Sequence, residues 1–245
     1  METRPDVQVL VFDVFGTVVD WRGSIAREVE ALGLGVDGGA FADDWRARYQ
    51  PAMQRVRAGE RPWTKLDVLH RENLDETLEA FAVAHRLDEA GRRALNLAWH
   101  RLDPWPEAVA GLHRLRSRFL IAPLSNGNLG LLARMAKRAA LPWDCVLSAE
   151  VYRAYKPEPA AYLGVADTFD VEPGRVMMVA AHASDLRAAA ACGLRTAYVD
   201  RPLECGPSGH RDVPRPTDRF DLAATGFDDL ADRLGCPDSL SQDPT

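Results

Sequence analysis

The sequence predicts a doubly wound α/β fold: a parallel sheet covered by helices, with an all-helical insertion. Three observations carry this prediction. Short runs rich in β-branched and apolar residues recur at 7–12, 119–124, 176–180 and 195–199, the length and composition of strands buried on both faces. Helix-like stretches separate them, at 107–118, 129–140 and 184–192. Between residues 21 and 101 no strand-like run occurs, and 25–32, 41–56, 65–85 and 89–99 all place apolar residues at helical spacing.

Each element has a local reason. The first strand is Val7 to Phe12 with only Gln8 interrupting, and the Gly16-Thr17 pair then turns the chain. The helical insertion leaves after this strand and returns at Asp103-Pro104-Trp105-Pro106, where two prolines mark a boundary. Residues 107–118 mix Ala, Val and Leu with charged residues, and 129–140 are rich in Ala, Leu and Arg. The 184–192 helix ends against Gly193, a plausible C-cap. The division expected is therefore an α/β core from residues 1–20 and 102–236, a helical insertion at 21–101, and a polar tail at 237–245. Residues 206–219 and the tail are expected to be loosely ordered, and no internal repeat is visible.

Composition narrows the function. With 245 residues and 47% hydrophobic content, the chain can bury a sizeable core. Its 30 basic and 36 acidic residues give a net charge of −6, without the Lys/Arg block that nucleic acid or anionic lipid would require. No apolar run reaches membrane-spanning length, and the first residues lack the apolar stretch of a secretion signal, so a cytoplasmic location is expected. Cys145, Cys192, Cys205 and Cys236 are scattered, with neither CxxC spacing nor nearby histidines, and are expected to form neither disulfides nor a metal site.

In an open parallel sheet the ligand site lies beyond the carboxyl ends of the strands. Asp13 follows the first strand, Ser125-Asn126-Gly127 the second, and Ala180-Ala181-His182-Ala183-Ser184-Asp185 the third, with Lys156-Pro157 in the connection between the last two. Two carboxylates, a hydroxyl, an amide and an ammonium thus gather at one edge.

In these four segments the chain resembles the haloacid dehalogenase superfamily, and within it the type II 2-haloacid dehalogenases. Asp13-Val14-Phe15-Gly16-Thr17, Ser125-Asn126-Gly127, Lys156-Pro157 and the segment ending at Asp185 match the superfamily motifs in order and approximate spacing. The helical insertion sits where that family carries its cap. The resemblance implies a metal-independent, cofactor-free hydrolysis of short 2-haloacids to 2-hydroxy acids, with preference for the (S) enantiomer and a homodimeric assembly. Haloacid and water are then the only small-molecule partners.

The departures select the chemistry. Superfamily phosphatases place a second Asp two residues after the first as general acid, and a Gly-Asp pair in the last motif to help hold magnesium. This chain has Phe15 and Ala180-Ala181 at those places. Magnesium favours octahedral oxygen ligation through carboxylates and phosphate, and an alkoxide leaving group needs a proton donor. Halide needs neither. Phe15 reads as an apolar wall beside a small substrate, or as a core aromatic under the cap.

By resemblance, Asp13 attacks the carbon bearing halogen and leaves an ester that water hydrolyses. Lys156 neutralises and orients Asp13, while Thr17 and Ser125 hydrogen-bond the nucleophile or the substrate carboxylate. Asn126 faces the departing halide. Trp45 and Arg46 resemble the cap pair whose arginine stabilises the halide, although Arg48 lies on the same helix and only geometry can choose. Tyr162 stands at the family's tyrosine position, hydrogen-bonding or packing. The last motif carries His182 where relatives have Asn and Ser184 where they have Trp. His182 reads either as general base for ester hydrolysis or as a neutral hydrogen-bonding substitute, with Asp185 as the other activator of water. Two other readings are a phosphatase or phosphonate-cleaving relative, and an idle binding module on the same fold.

Overall fold

A computed structural model describes residues 6–206 and 209–237; the last eight residues, most of the expected polar tail, lie outside the described range. Six parallel strands make the main sheet: β1 (Val9–Phe12), β4 (Leu120–Ser125), β5 (Leu147–Ser148), β6 (Val176–Ala180), β7 (Arg195–Val199) and β8 (Leu222–Ala224), in the order β5-β4-β1-β6-β7-β8. β1 is central and buried along its whole length, as its run of Val, Leu, Val and Phe requires. Pro123 sits within β4 at no cost to the ladder. Leu120 donates its N–H to Gln8 of the β1 side, whereas Ile121 donates to Asp144 on the other side. Pro123 shares the parity of Ile121, so its missing N–H points toward β5, where pairing begins only at Leu124.

The helices of the core are α6 (Ala108–Arg116), α7 (Leu129–Ala139), α8 (Ala149–Tyr152), α9 (Pro159–Thr168), α10 (Ala183–Ala191) and α11 (Phe227–Leu234). They cover both faces of the sheet and bury two apolar layers, one around Leu10, Phe12 and Leu112, the other around Val9, Val11 and Tyr162. The cap contains α1 (Trp21–Ala31), α2 (Gly38–Ala47), α3 (Tyr49–Arg57), α4 (Leu66–Ala80) and α5 (Glu89–Asn96), with 3-10 turns at Ala84–Arg86 and Leu97–His100. Two short antiparallel strands, β2 (Val19–Asp20) and β3 (Asp103–Pro104), join cap to core.

Several expectations need correction. The single helix expected at 41–56 is two, broken at Arg48. Pro51 explains the break: its ring would clash with the carbonyl four residues back, and ending α2 at Ala47 moves it into the first turn of α3. The helix expected at 65–85 stops at Ala80, and Ala82 adopts φ 56°. The prolines at 104–106 do not simply mark a boundary, since Asp103 and Pro104 pair with Asp20 and Val19.

Candidate active site

The register brings the strand ends level. Phe12 pairs with Pro123 of β4 and Val179 of β6, so Asp13, Ser125-Asn126 and Ala181-His182 emerge side by side at the carboxyl edge. The turn after Asp13 is closed by Val18 donating to the Val14 carbonyl, and this returns Thr17 to the nucleophile. The Thr17 hydroxyl donates to Asp13 Oδ2 at 2.8 Å and accepts the Ala181 N–H at 2.9 Å. That backbone N–H belongs to the residue standing where a magnesium-binding relative would carry a carboxylate.

Lys156 reaches the site from the connection preceding α9. Its Nζ donates to Asp13 Oδ1 at 3.0 Å and to Asp185 Oδ2 at 2.5 Å, while its backbone N–H is held by Asn126 Oδ1 at 2.8 Å. The other Asp185 oxygen accepts from the Tyr162 hydroxyl at 2.6 Å. His182 bridges two carboxylates, with Nδ1 2.9 Å from Asp13 Oδ2 and Nε2 2.8 Å from Glu204 Oε1. Glu204 also accepts from the Trp21 indole at 3.2 Å. Three acidic groups, Asp13, Asp185 and Glu204, thus meet two basic ones, Lys156 and His182.

These contacts fix the charge states. Burial opposes ionisation of Asp13, but the Lys156 ammonium and His182 overcome it and hold its carboxyl far below the usual carboxylate range. Burial likewise opposes the charge on Lys156, and Asp13 and Asp185 more than restore it. Asp185 is pushed up by burial and by the charge of Asp13, only partly offset by Lys156. For His182, burial acts downward and the hydrogen bonds to Asp13 and Glu204 prevail, raising it from 6.5 to about 10. The imidazole is therefore charged in the resting enzyme at neutral pH.

These groups open on a cavity of about 530 Å³ between core and cap. Phe15 lines this cavity and is itself packed edge-on against Trp99. Arg46 faces the cavity with its guanidinium 4.0 Å from the Tyr49 ring centroid and 5.8 Å from that of Phe15; its Nη1 is buried without a hydrogen-bond partner in the protein. Arg48 points elsewhere, paired with Asp44 and Glu76. Of the two arginines, Arg46 lines the cavity.

Three expected site residues are not on the cavity wall, and the first of them, Thr17, is fully buried behind Asp13. Trp45 gives its indole N–H to the His70 carbonyl at 2.9 Å and packs between Phe41 and Trp99 in the cap interior. Consecutive residues of a helix point about 100° apart, so Trp45 turns inward when Arg46 faces the cavity. Ser125 is fully buried and its hydroxyl accepts the Gly127 N–H at 3.1 Å, shaping the loop that presents Asn126. Among the described residues no group of three or more His, Cys, Asp or Glu is arranged to hold a metal ion. The Lys156 ammonium lies between Asp13 and Asp185 and bonds both.

Sequence reasoning missed Glu204, along with Tyr49 and Arg57 on the cavity wall. Glu204 belongs to no motif. It does follow the carboxyl end of β7, the edge at which a ligand site was expected. Gly16 is fitted to it: with φ +87°, a Cβ there would lie 2.0 Å from Glu204 Oε1.

The chain is similar to known proteins over most of its length. A family model described as haloacid dehalogenase-like hydrolase matches residues 7–193. (S)-2-haloacid dehalogenase 1 of Pseudomonas sp. (strain CBS-3) is 31% identical over 199 residues, covering 80% of this chain and 85% of its own. (S)-2-haloacid dehalogenase 4A of Burkholderia cepacia is 30% identical over 205 residues, covering 80% and 84%. The crystal structure of the defluorinating L-2-haloacid dehalogenase Rha0230 superimposes with a TM-score of 0.89 at 46% identity, over 93% of this chain and 95% of that one.

Proposed function

Since the chain belongs to the haloacid dehalogenase-like hydrolase family, we propose that it hydrolyses short (S)-2-haloalkanoic acids to 2-hydroxy acids through an ester on Asp13. The observation that carries this reading is a carboxylate held ionised by Lys156 and opening on a cavity walled by Phe15 and Arg46. Such a site supplies a nucleophile, an apolar surround for the carbon centre and a cation for the departing halide.

The roles follow from the contacts. Thr17 and Lys156 orient the two Asp13 oxygens, and Asn126 anchors the Lys156 backbone while facing the cavity. Arg46, with a buried N–H lacking a protein acceptor, receives the halide. Both Asp185 oxygens are engaged, one by Lys156 and one by Tyr162, and Asp185 is linked to Asp13 only through that lysine, so it is less directly placed than His182 to take a proton from the water attacking the ester. His182, beside Asp13 and on the cavity wall, is assigned that task. The phosphatase reading gains no support: Phe15 stands where its general acid belongs, and Ala181 contributes only a backbone N–H.

No helix among the described residues is long and apolar enough to cross a membrane. We assign the enzyme to the cytoplasm as a homodimer, in keeping with the free thiols of Cys145, Cys192 and Cys205 and with the family resemblance.

The test is halide release from 2-chloropropionate in excess EDTA. The expected result is undiminished turnover. Loss of activity on chelation, restored by magnesium, overturns the metal-free mechanism.

A further inference from the structure

We propose that Glu204 is a positioning residue for His182, and that the proton shared along the Asp13-His182-Glu204 chain leaves the enzyme together with the halide rather than during ester hydrolysis. This inference rests on the proposed dehalogenation and adds to it a residue and an order of events.

Geometry carries the case. Both ring nitrogens of His182 lie within 2.9 Å of a carboxylate oxygen, Asp13 on one side and Glu204 on the other. Carboxylates only accept, so both nitrogens must donate, and an imidazole with two N–H groups is a cation. The other charged groups around it support this arrangement: Lys156 binds the opposite oxygen of Asp13, Asp185 lies beyond that ammonium, Asp212 adds negative charge from the β7–β8 connection, and Arg46 approaches Glu204 from the cap.

In the first half-reaction the bond from an Asp13 oxygen to the substrate carbon forms as the carbon-halogen bond breaks, and halide leaves with the electron pair. Asp13 loses its charge. His182 then keeps only Glu204 as a charged partner, and the proton on Nδ1 passes to solvent through the cavity. Glu204 decides which nitrogen gives it up: by holding Nε2–H, it leaves the bare lone pair on Nδ1, facing the ester. In the second half-reaction water attacks the Asp13 carboxyl carbon and gives one proton to Nδ1. Its other proton goes to the departing alkoxide. The resting charges return, and the sum is haloacid plus water to hydroxyacid, halide and one proton.

The wild-type enzyme, in excess over 2-chloropropionate and at a series of pH values below about 10, where the resting imidazole is charged, gives the first arm of the test. Halide, proton and Asp13 ester are followed in a single turnover by conductivity, indicator dye and rapid-quench mass spectrometry. Proton release should coincide with halide release. A proton that appears only as the ester decays overturns the inference, whereas no halide from any 2-haloacid would instead reject the function it rests on. Glu204→Gln is the second arm. One equivalent of halide per site should still appear in the first turnover, which certifies folded sites, while ester hydrolysis slows about a hundred-fold or more. The midpoint of its pH profile should fall by about one unit or more, because His182 loses the partner that favours its charged form. An unchanged profile and hydrolysis rate would assign Glu204 a structural role only.

Discussion

Asp13→Asn is expected to lower halide release by at least about 10⁴-fold, the scale on which enzymes lose activity when a covalent nucleophile is removed. The substitution preserves shape and one hydrogen-bond acceptor, so Thr17 and the backbone bond to Val179 can persist. What disappears is the anion. An amide oxygen is a poor nucleophile, and the neutral side chain leaves Lys156 with Asp185 alone and His182 with Glu204 alone. Circular dichroism and first-turnover halide measurement together check the prediction: native fold with no halide is the expected pair. Retention of more than a few per cent of turnover would move the nucleophile elsewhere.

Lys156→Met is expected to act on both stability and rate. Lys156 is buried and bonds two carboxylates, and Met replaces its stem at similar volume without the charge. Breaking a buried ion pair from one side typically costs about 3–5 kcal/mol, since the partner charges stay behind unpaired. Burial then pushes both aspartates toward protonation, so Asp13 is ionised in a smaller fraction of molecules and the remaining activity should climb with pH. Urea unfolding and a pH-rate profile measure the two effects. Adding Asp185→Asn removes one stranded charge and should recover part of the lost stability, as expected for residues in one network. A Lys156→Met protein as stable as wild type would mean that the network does not help hold core and site together.

The legible parts of the molecule were those with long or chemically distinctive signals. The 176–180 and 195–199 strands stand out because every residue but one or two is β-forming or apolar, and their observed bounds agree. β2, β3 and β5 span two residues each, too short for any periodicity to register. Pro51 was visible in the sequence, yet the apolar spacing across 41–56 outweighed it. The break it imposes places Tyr49 under the Arg46 guanidinium. Asp13, Lys156 and Asp185 could be found because each lies in a motif. Glu204 could not be found that way, since its partner His182 is 22 residues distant and only the fold brings them together. Trp45 was misplaced for a related reason: adjacency to Arg46 in sequence is not adjacency on a helix face.

The mechanism stands or falls on whether the product's new oxygen comes from Asp13. In a single turnover with enzyme in excess in H₂¹⁸O, attack of water on the Asp13 carboxyl carbon leaves the heavy oxygen on the enzyme. Mass spectrometry should therefore find unlabelled hydroxyacid and a peptide containing Asp13 heavier by one ¹⁸O. Labelled hydroxyacid with an unlabelled Asp13 peptide would mean that water displaces the halide directly, contradicting the ester intermediate.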